Sequence, residues 1–347
     1  MKKKHTGLKI FLGMIALLLT AVVVLLIVFA RDIATMSSMK KVDEGIYSVH
    51  VTSDYKLEKA LSAGISSEEE LFQWMNHELL FDLAPVQGEI KPFGCASFLV
   101  SDPSGNDLLG RNFDYYPTDC CVVYSTPRDG YASIGMADLS FLSLSGNNSV
   151  ADPDSYVGKA LSRLLPYCTV DGVNEKGLAI SVLEIDSIGV DQETDAPDIE
   201  IILAIRGILD TCADVDEAVS FLESYDMHTP NGSSYHLFIA DSSGRSVVAE
   251  WIDNELVVAD QEAVTNYIVN DPDYYMRYIG DGRYETLVEI LDTSEGILTQ
   301  EQAFMLLEAV SQRNTQWSCV YDLDGFSLTF CPDKGFEDLH SFTPDDF

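Results

Sequence analysis

Gly94-Cys95 is the pair of residues on which chemistry can be built. The cysteine opens an apolar run, Cys95-Ala96-Ser97-Phe98-Leu99-Val100, that reads as a strand, and the glycine before it allows close backbone approach at the bond joining them. If that bond is cut, Cys95 gains a free α-amine with an ordinary pKa of about 7.7–8.0, a base carried by the nucleophile's own residue, so no separate histidine is required. Sixteen and nineteen residues downstream, Arg111 and Asp114 stand in Gly110-Arg111-Asn112-Phe113-Asp114-Tyr115. A turn at Asp102-Pro103-Ser104-Gly105-Asn106 folds Leu108–Tyr115 back on the first strand and returns both charges toward the thiol. A cation and a carboxylate beside a thiol–amine pair set its protonation and orientation. Standing alone, the same two residues read as an ordinary ion pair on a strand.

These residues and those that follow resemble a known family. Cys95-Ala96-Ser97-Phe98, the spacing to Arg111 and Asp114, and Gly110-Arg111-Asn112-Phe113-Asp114 are similar to the choloylglycine hydrolases, linear-amide C–N hydrolases of the N-terminal-nucleophile superfamily. Asp171-Gly172-Val173-Asn174-Glu175-Lys176-Gly177-Leu178 resembles the family's Asn-Glu-Lys-Gly-Leu segment. Val264-Thr265-Asn266 resembles its second Asn motif, Gly282-Arg283-Tyr284 its later Arg, and Trp317-Ser318-Cys319-Val320-Tyr321-Asp322 its closing strand. The resemblance implies a four-layer αββα sandwich with Cys95 at the end of a central strand. It implies Cys95 as nucleophile and, through its amine, base, with Arg111 and Asp114 holding it and Arg283 in support. Asn174 and Asn266 would flank the scissile carbonyl as oxyanion donors, worth roughly 3–4 kcal/mol each when well placed. The implied reaction is hydrolysis of an N-acyl amide such as a conjugated bile salt, penicillin V, an N-acyl amino acid or an N-acylethanolamine, or acyl transfer by the same fold, with no metal and no organic cofactor.

Two departures from the family pattern bear on maturation. Ala96 stands where Thr is more usual, and 94 residues lead up to the cut. That architecture resembles the acid ceramidase and penicillin acyltransferase branches, which cut themselves internally. The expected cut lies between Gly94 and Cys95, making 31–94 a stalk followed by a propeptide or a retained small subunit, and 95–347 the catalytic domain.

Around these residues the chain reads as α+β, with blocks of strands separated by blocks of helices, the pattern of antiparallel sheets with helices packed on them. Ser67-Glu68-Glu69-Glu70 has the form of a capping box before an apolar stretch, as does Thr299 with Gln302. Helical spacing runs over Ser155–Leu165, over Ile199–Tyr225 with a re-cap at Asp214, over Arg283–Leu291 and over Gln300–Val310. Strands are expected at Cys121–Ser125, Leu178–Ile185, Tyr235–Ala240, Ser246–Trp251, Leu256–Val258, Ala263–Val269, Ser318–Tyr321 and Phe326–Phe330. Residues 84–93, with two prolines, are expected to be extended or looped, and Tyr274, Tyr275 and Tyr278 to be core or rim aromatics that can line an acyl pocket.

Charge narrows the partners. Of 347 residues, 21 are Lys or Arg and 56 Asp or Glu. Residues 1–30 carry four Lys and no acid, so residues 31–347 hold a net −39. Such a body repels nucleic acid and anionic membrane surfaces alike. Membrane attachment must come from the uncharged run Ile10–Ala30, whose 21 residues span roughly 30 Å as a helix at about 1.5 Å per residue. The basic segment 1–9 before it favours a cytoplasmic N-terminus and an exported body. Val28-Phe29-Ala30 also fits a signal-cleavage triplet, and both an anchor and a cleaved signal place the body outside. Seven cysteines, an odd number, leave at least one thiol free. Two further readings stay open: a papain-like order of Cys95, His236 and Asn266, and an inactive, membrane-tethered binding protein with the same fold.

Overall fold

The computed structural model describes residues 2–83, 86, 94–146, 149–185, 189–271 and 282–347. The expected loop over 84–93, apart from Val86, and the tyrosines at 274, 275 and 278 lie outside the described residues. Helix α1 (Lys2–Val28) leads into α2 (Ala30–Ser38), the hairpin β1 (Lys40–Asp43) and β2 (Ile46–Val51), and helices α3 (Leu57–Leu61) and α4 (Glu68–Glu78). Strands β3 (Gly94–Ser101), β4 (Asp107–Asp114), β5 (Cys120–Ser125) and β6 (Ser133–Asp138) follow, then α5 (Tyr156–Leu161), β7 (Thr169–Asn174) and β8 (Ala179–Ile185). A short β9 (Asp198–Glu200) precedes α6 (Ile201–Thr211) and α7 (Val215–Leu222), followed by β10 (Asp226–His228), β11 (Ser234–Ala240), β12 (Ser246–Ile252), β13 (Glu255–Asp260) and β14 (Ala263–Val264). Helices α8 (Arg283–Ser294) and α9 (Gln300–Ala309) and strands β15 (Thr315–Asp322), β16 (Ser327–Pro332) and β17 (His340–Phe342) complete the chain.

The larger sheets run β1-β2-β5-β6-β7-β8-β11-β12-β13 and β14-β3-β4-β15-β16-β17. Among these named strands, pairing is antiparallel except for β2 with β5 and β9 with β10. The period of two along β3 divides its side chains between two cores. Ala96, Phe98 and Val100 pack with Leu287, Leu291, Phe304 and Leu307 of α8 and α9. Cys95 and Leu99 belong to the main core, and Ser97 Oγ meets Ser181 Oγ of β8 at 2.8 Å, so this face of β3 looks across to the nine-stranded sheet. Gly110 lies opposite Phe98 in the hairpin; a Cβ there would fall 2.3 Å from the Phe98 ring, so glycine is what admits the aromatic. Helix α6 lies against β7 and β8.

Local expectations hold at the hairpin β3–β4 and at most helix ends. Ser67 and Asp214 accept N–H bonds from residues three ahead, and Thr299 with Gln302 forms both bonds of a capping box. The expected stalk is corrected. Residues 30–51 are helix, hairpin and a strand inserted beside β5, with Val49 and Val51 fully buried in the main core. The expected strand 263–269 stops at Val264, because the N–H groups of Val269 and Asn270 turn to the Glu250 carboxylate instead of a ladder. The helix expected over 155–165 tightens after Leu161 into a 3₁₀ stretch, Ser162–Cys168, that contains Pro166. At the N-terminus, Phe11–Val28 is long and apolar enough to cross a membrane and is unburied in its most apolar stretch.

Candidate active site

The hairpin register sets Gly94 opposite Asp114, Cys95 opposite Phe113 and Ser97 opposite Arg111. Arg111 therefore points to the same side as Cys95, and its Nη2 lies 3.0 Å from the Cys95 Sγ. The other contacts of this guanidinium fix it: Nη2 donates to the Val182 carbonyl at 2.9 Å, and Nη1 donates to the Val170 carbonyl at 2.9 Å and to the Asp171 carboxylate. Tyr321 donates its hydroxyl to the other oxygen of Asp171. Arg111, Asp171 and Cys95 are all fully buried. Burial pushes the Cys95 thiol up to about 11, while the Arg111 charge pulls it down.

The main-chain nitrogen of Cys95 is held by a second group. Its N–H donates to Asn266 Oδ1 at 2.8 Å, an oxygen that also accepts from Arg283 Nη2 at 3.0 Å. Asn266 Nδ2 donates to the Glu184 carbonyl of β8 at 2.6 Å. Arg283 Nη1 reaches the Cys95 carbonyl at 3.0 Å and Asp114 Oδ2 at 3.3 Å. Asp114, fully buried, also accepts from Gln312 Nε2 at 2.6 Å and Thr315 Oγ1 at 2.5 Å. Gly94 is tightly enclosed here: a Cβ would sit 3.0 Å from Gln312 Nε2 and 3.2 Å from the Asp114 Cβ, so those side chains would have to give way slightly. The hairpin thus delivers Arg111 to the thiol and Asp114 to the peptide bond that precedes it.

Five of the six expected side chains converge: Cys95, Arg111, Asp114, Asn266 and Arg283. Asn174 does not. It is fully buried at the end of β7, where its Nδ2 donates to the carbonyls of Leu209 and Cys212 at 3.0 and 2.8 Å and its Oδ1 accepts from the Lys176 and Leu178 N–H groups. Its amide is used up in closing the 174–178 turn and capping the end of α6. Val182, the β8 residue beside Cys95, lies four positions beyond Leu178, roughly 13 Å at about 3.3 Å per residue. In the same motif, Asp171, three positions earlier, is the residue that holds Arg111. Gln312, in the link between α9 and β15, and Thr315, the first residue of β15, carried no sequence signal. The papain-like order is not assembled either: His236 pairs with Glu250 at 3.5 Å, and its ring nitrogens make no hydrogen bond among the described residues. All seven cysteines are free and buried.

Residues 95–302 match the family model for linear amide C-N hydrolases, choloylglycine hydrolase family. The chain belongs to this family. A penicillin V acylase of Pectobacterium atrosepticum is 28% identical over 191 residues, which is 51% of this chain and 49% of that protein. The chain therefore matches about half the length of this curated relative. Among solved structures, a variant of the conjugated bile acid hydrolase from Clostridium perfringens aligns with a TM-score of 0.55 at 16% identity, covering 73% of this chain and 93% of that one. The penicillin V acylase of Agrobacterium tumefaciens aligns with a TM-score of 0.50 at 17% identity, covering 73% and 87%. At these identities the likeness is one of fold, a mixed α/β architecture shared with the bile acid hydrolase and penicillin V acylase structures.

Proposed function

We propose that this choloylglycine hydrolase family member is an exported, membrane-anchored cysteine amidase that matures by cutting itself between Gly94 and Cys95. The observation that carries the reading is that one residue's two reactive atoms are held separately, Sγ by Arg111 and the nitrogen by Asn266. In maturation, the thiolate attacks the Gly94 carbonyl, the C–N bond breaks as the Cys95 nitrogen takes up a proton, and water hydrolyses the thioester to a Gly94 carboxylate. The freed α-amine then accepts the thiol proton and the thiolate attacks an N-acyl amide. The amine product leaves with a proton and water releases the acid. Arg111 stabilises the thiolate, Asp114 and Arg283 orient the amine, and Asn266 is the remaining side-chain donor for the oxyanion, Asn174 being committed elsewhere.

The layer order fits the four-layer αββα sandwich, with α6 outside one sheet and α8 and α9 outside the other. The segment before the cut acts as a retained small subunit. Its β2 is hydrogen-bonded along β5, and Leu71, Phe72 and Met75 of α4 are buried in the shared core, so the cut leaves the catalytic part tied to α1. Helix α1 serves as the anchor. Residues 95–347 form the catalytic domain, and no metal or organic cofactor takes part. The substrate class is a linear N-acyl amide; the body's net −39 disfavours anionic bile conjugates against neutral amides.

Mass spectrometry of the purified wild type tests this directly. A new N-terminus at Cys95 is expected, with both pieces co-eluting under native conditions. Cys95→Ala is expected to remove processing and hydrolysis of a panel of N-acyl amides together. Hydrolysis by a fully intact wild-type chain overturns the free-amine mechanism.

A further inference from the structure

Beside the site lies a buried carboxylate beside an imidazole, which the chemistry above does not use. Glu250 of β12 and His236 of β11 are cross-strand partners, both fully buried, with His236 Nδ1 3.5 Å from Glu250 Oε2. The carboxylate's hydrogen bonds go to the chain just beyond Asn266. Oε2 accepts from the Val269 N–H at 3.1 Å, and Oε1 accepts from the Asn270 N–H at 2.7 Å and from Asn270 Nδ2 at 2.8 Å. A carboxylate removed from water is tolerated only when its oxygens are satisfied, so three donors from one short turn make a strong attachment. Although burial works toward the neutral acid, the His236 imidazole and the Asn270 donors hold the Glu250 carboxyl below its usual range.

The position of this attachment in the chain gives it a use. Upstream of Asn266, β14 is tied to β3 of the six-stranded sheet through Ala263 opposite Phe98 and Val264 opposite Ser97. Downstream, Glu250 ties residues 269 and 270 to the nine-stranded sheet. Asn266 sits on the bridge between, and its amide spans the same gap, Oδ1 on the Cys95 nitrogen at 2.8 Å and Nδ2 on the Glu184 carbonyl at 2.6 Å. Both bonds require the bridge to be held at its two ends.

We propose that Glu250, backed by His236, is a positioning residue that clamps the 269–270 turn to the nine-stranded sheet and thereby holds Asn266 on the nitrogen of Cys95. The clamp rests on the reading of Cys95 as a self-processing nucleophile. Glu250→Gln keeps the shape but replaces one acceptor oxygen by an NH₂ that faces an N–H donor.

The test follows the appearance of the Cys95 N-terminus by mass spectrometry, in full-length chains made by cell-free synthesis into lipid nanodiscs. Glu250→Gln is expected to slow processing by about 10- to 100-fold, and Glu250→Asp, which keeps the charge, to recover part of that loss. Because the clamp acts through Asn266, Glu250→Gln is expected to add nothing to the loss caused by Asn266→Ala. Wild-type processing in Glu250→Gln, or losses that multiply in the double variant, overturns the proposal. If Glu250→Gln loses its cooperative thermal transition, Asn270→Ala carries the test. It removes one of the three bonds at a half-buried residue and is expected to slow processing by roughly 2- to 5-fold, again with no added effect on Asn266→Ala; an unchanged rate overturns the clamp. A wild type that never exposes Cys95 removes the nucleophile reading and the clamp with it, an outcome distinct from a processed wild type with an equally fast Glu250→Gln.

Discussion

Among the described residues, two buried Arg–Asp–Tyr sets are nearly the same in chemistry and different in surroundings. At Cys95, Arg111 donates to Asp171, which also accepts from Tyr321. Beneath α6, Arg206 donates to Asp210, which also accepts from Tyr55 at 2.5 Å. In both sets burial holds the phenol well above its usual range, so each tyrosine is the donor to its carboxylate. The difference is what the guanidinium does with its remaining hydrogens. Arg206 spends Nη2 on the Ser133 hydroxyl at 2.8 Å, and the set joins Tyr55, which precedes Gly94-Cys95 in the chain, to residues that follow it. Arg111 turns Nη2 to a thiol. A buried Arg–Asp pair is by itself a packing device; a thiol placed at its open arm is what makes the Arg111 pair a candidate for chemistry.

Charge removal at the two arginines gives the largest effects. Arg111→Met and Arg206→Met each leave a buried aspartate without its cation and are expected to cost about 3–5 kcal/mol of stability, read from thermal or denaturant unfolding. Only Arg111→Met is expected also to slow processing of the folded fraction, by about a hundredfold or more, because only there does the cation stabilise a thiolate. Equal processing rates in the two folded variants would dissolve the distinction between the sets.

Smaller effects follow at the tyrosines. Tyr321→Phe and Tyr55→Phe each remove one hydroxyl donor from a buried carboxylate, a loss of about 1–3 kcal/mol. Tyr55→Phe is expected to weaken the hold of the small segment after the cut, measured as its dissociation on dilution of the processed protein. Tyr321→Phe is expected to leave that hold intact and to slow processing.

The pH dependence sharpens the contrast further. With burial pushing the Cys95 thiol up to about 11, the thiolate is the minor form at neutral pH and grows as pH rises. Processing is therefore expected to accelerate about tenfold per pH unit through the range in which the fold is stable. Folded Arg206→Met is expected to follow the same slope, since no thiol touches that set. A flat rate–pH profile in the wild type would remove the Cys95 thiolate from the rate-limiting step.

Much of the site was legible because it is local. The turn at 102–106 sets the register of β3 on β4, so Arg111 and Asp114 return to Cys95 by strand geometry alone. Helix caps at Ser67, Asp214 and Thr299 were legible for the same reason. The segment 46–51 was not, although Ile46-Tyr47-Ser48-Val49-His50-Val51 has strand composition, because its partner β5 lies some seventy residues on and pairs in parallel. Asn174 and Asp171 lie in one motif, and only the packing of β7 across from β4 separates a turn-closing amide from a carboxylate under Arg111. Glu250 stood in an apolar strand with nothing beside it in sequence to mark it.

By itself, then, the sequence determined an apolar N-terminal run, an acidic body, and a Gly-Cys hairpin whose register commits a cation and a carboxylate to one end of a strand. These depend on interactions within a few residues or within one turn, where spacing and composition are the physics. The tertiary structure decided which asparagine reaches the Cys95 nitrogen, which arginine set carries a thiol, and that the segment 46–51, ahead of Gly94-Cys95, is built into the sheet. Each of those depends on two strands distant in the chain meeting across a core, where burial and hydrogen-bond satisfaction, rather than spacing, select the partners.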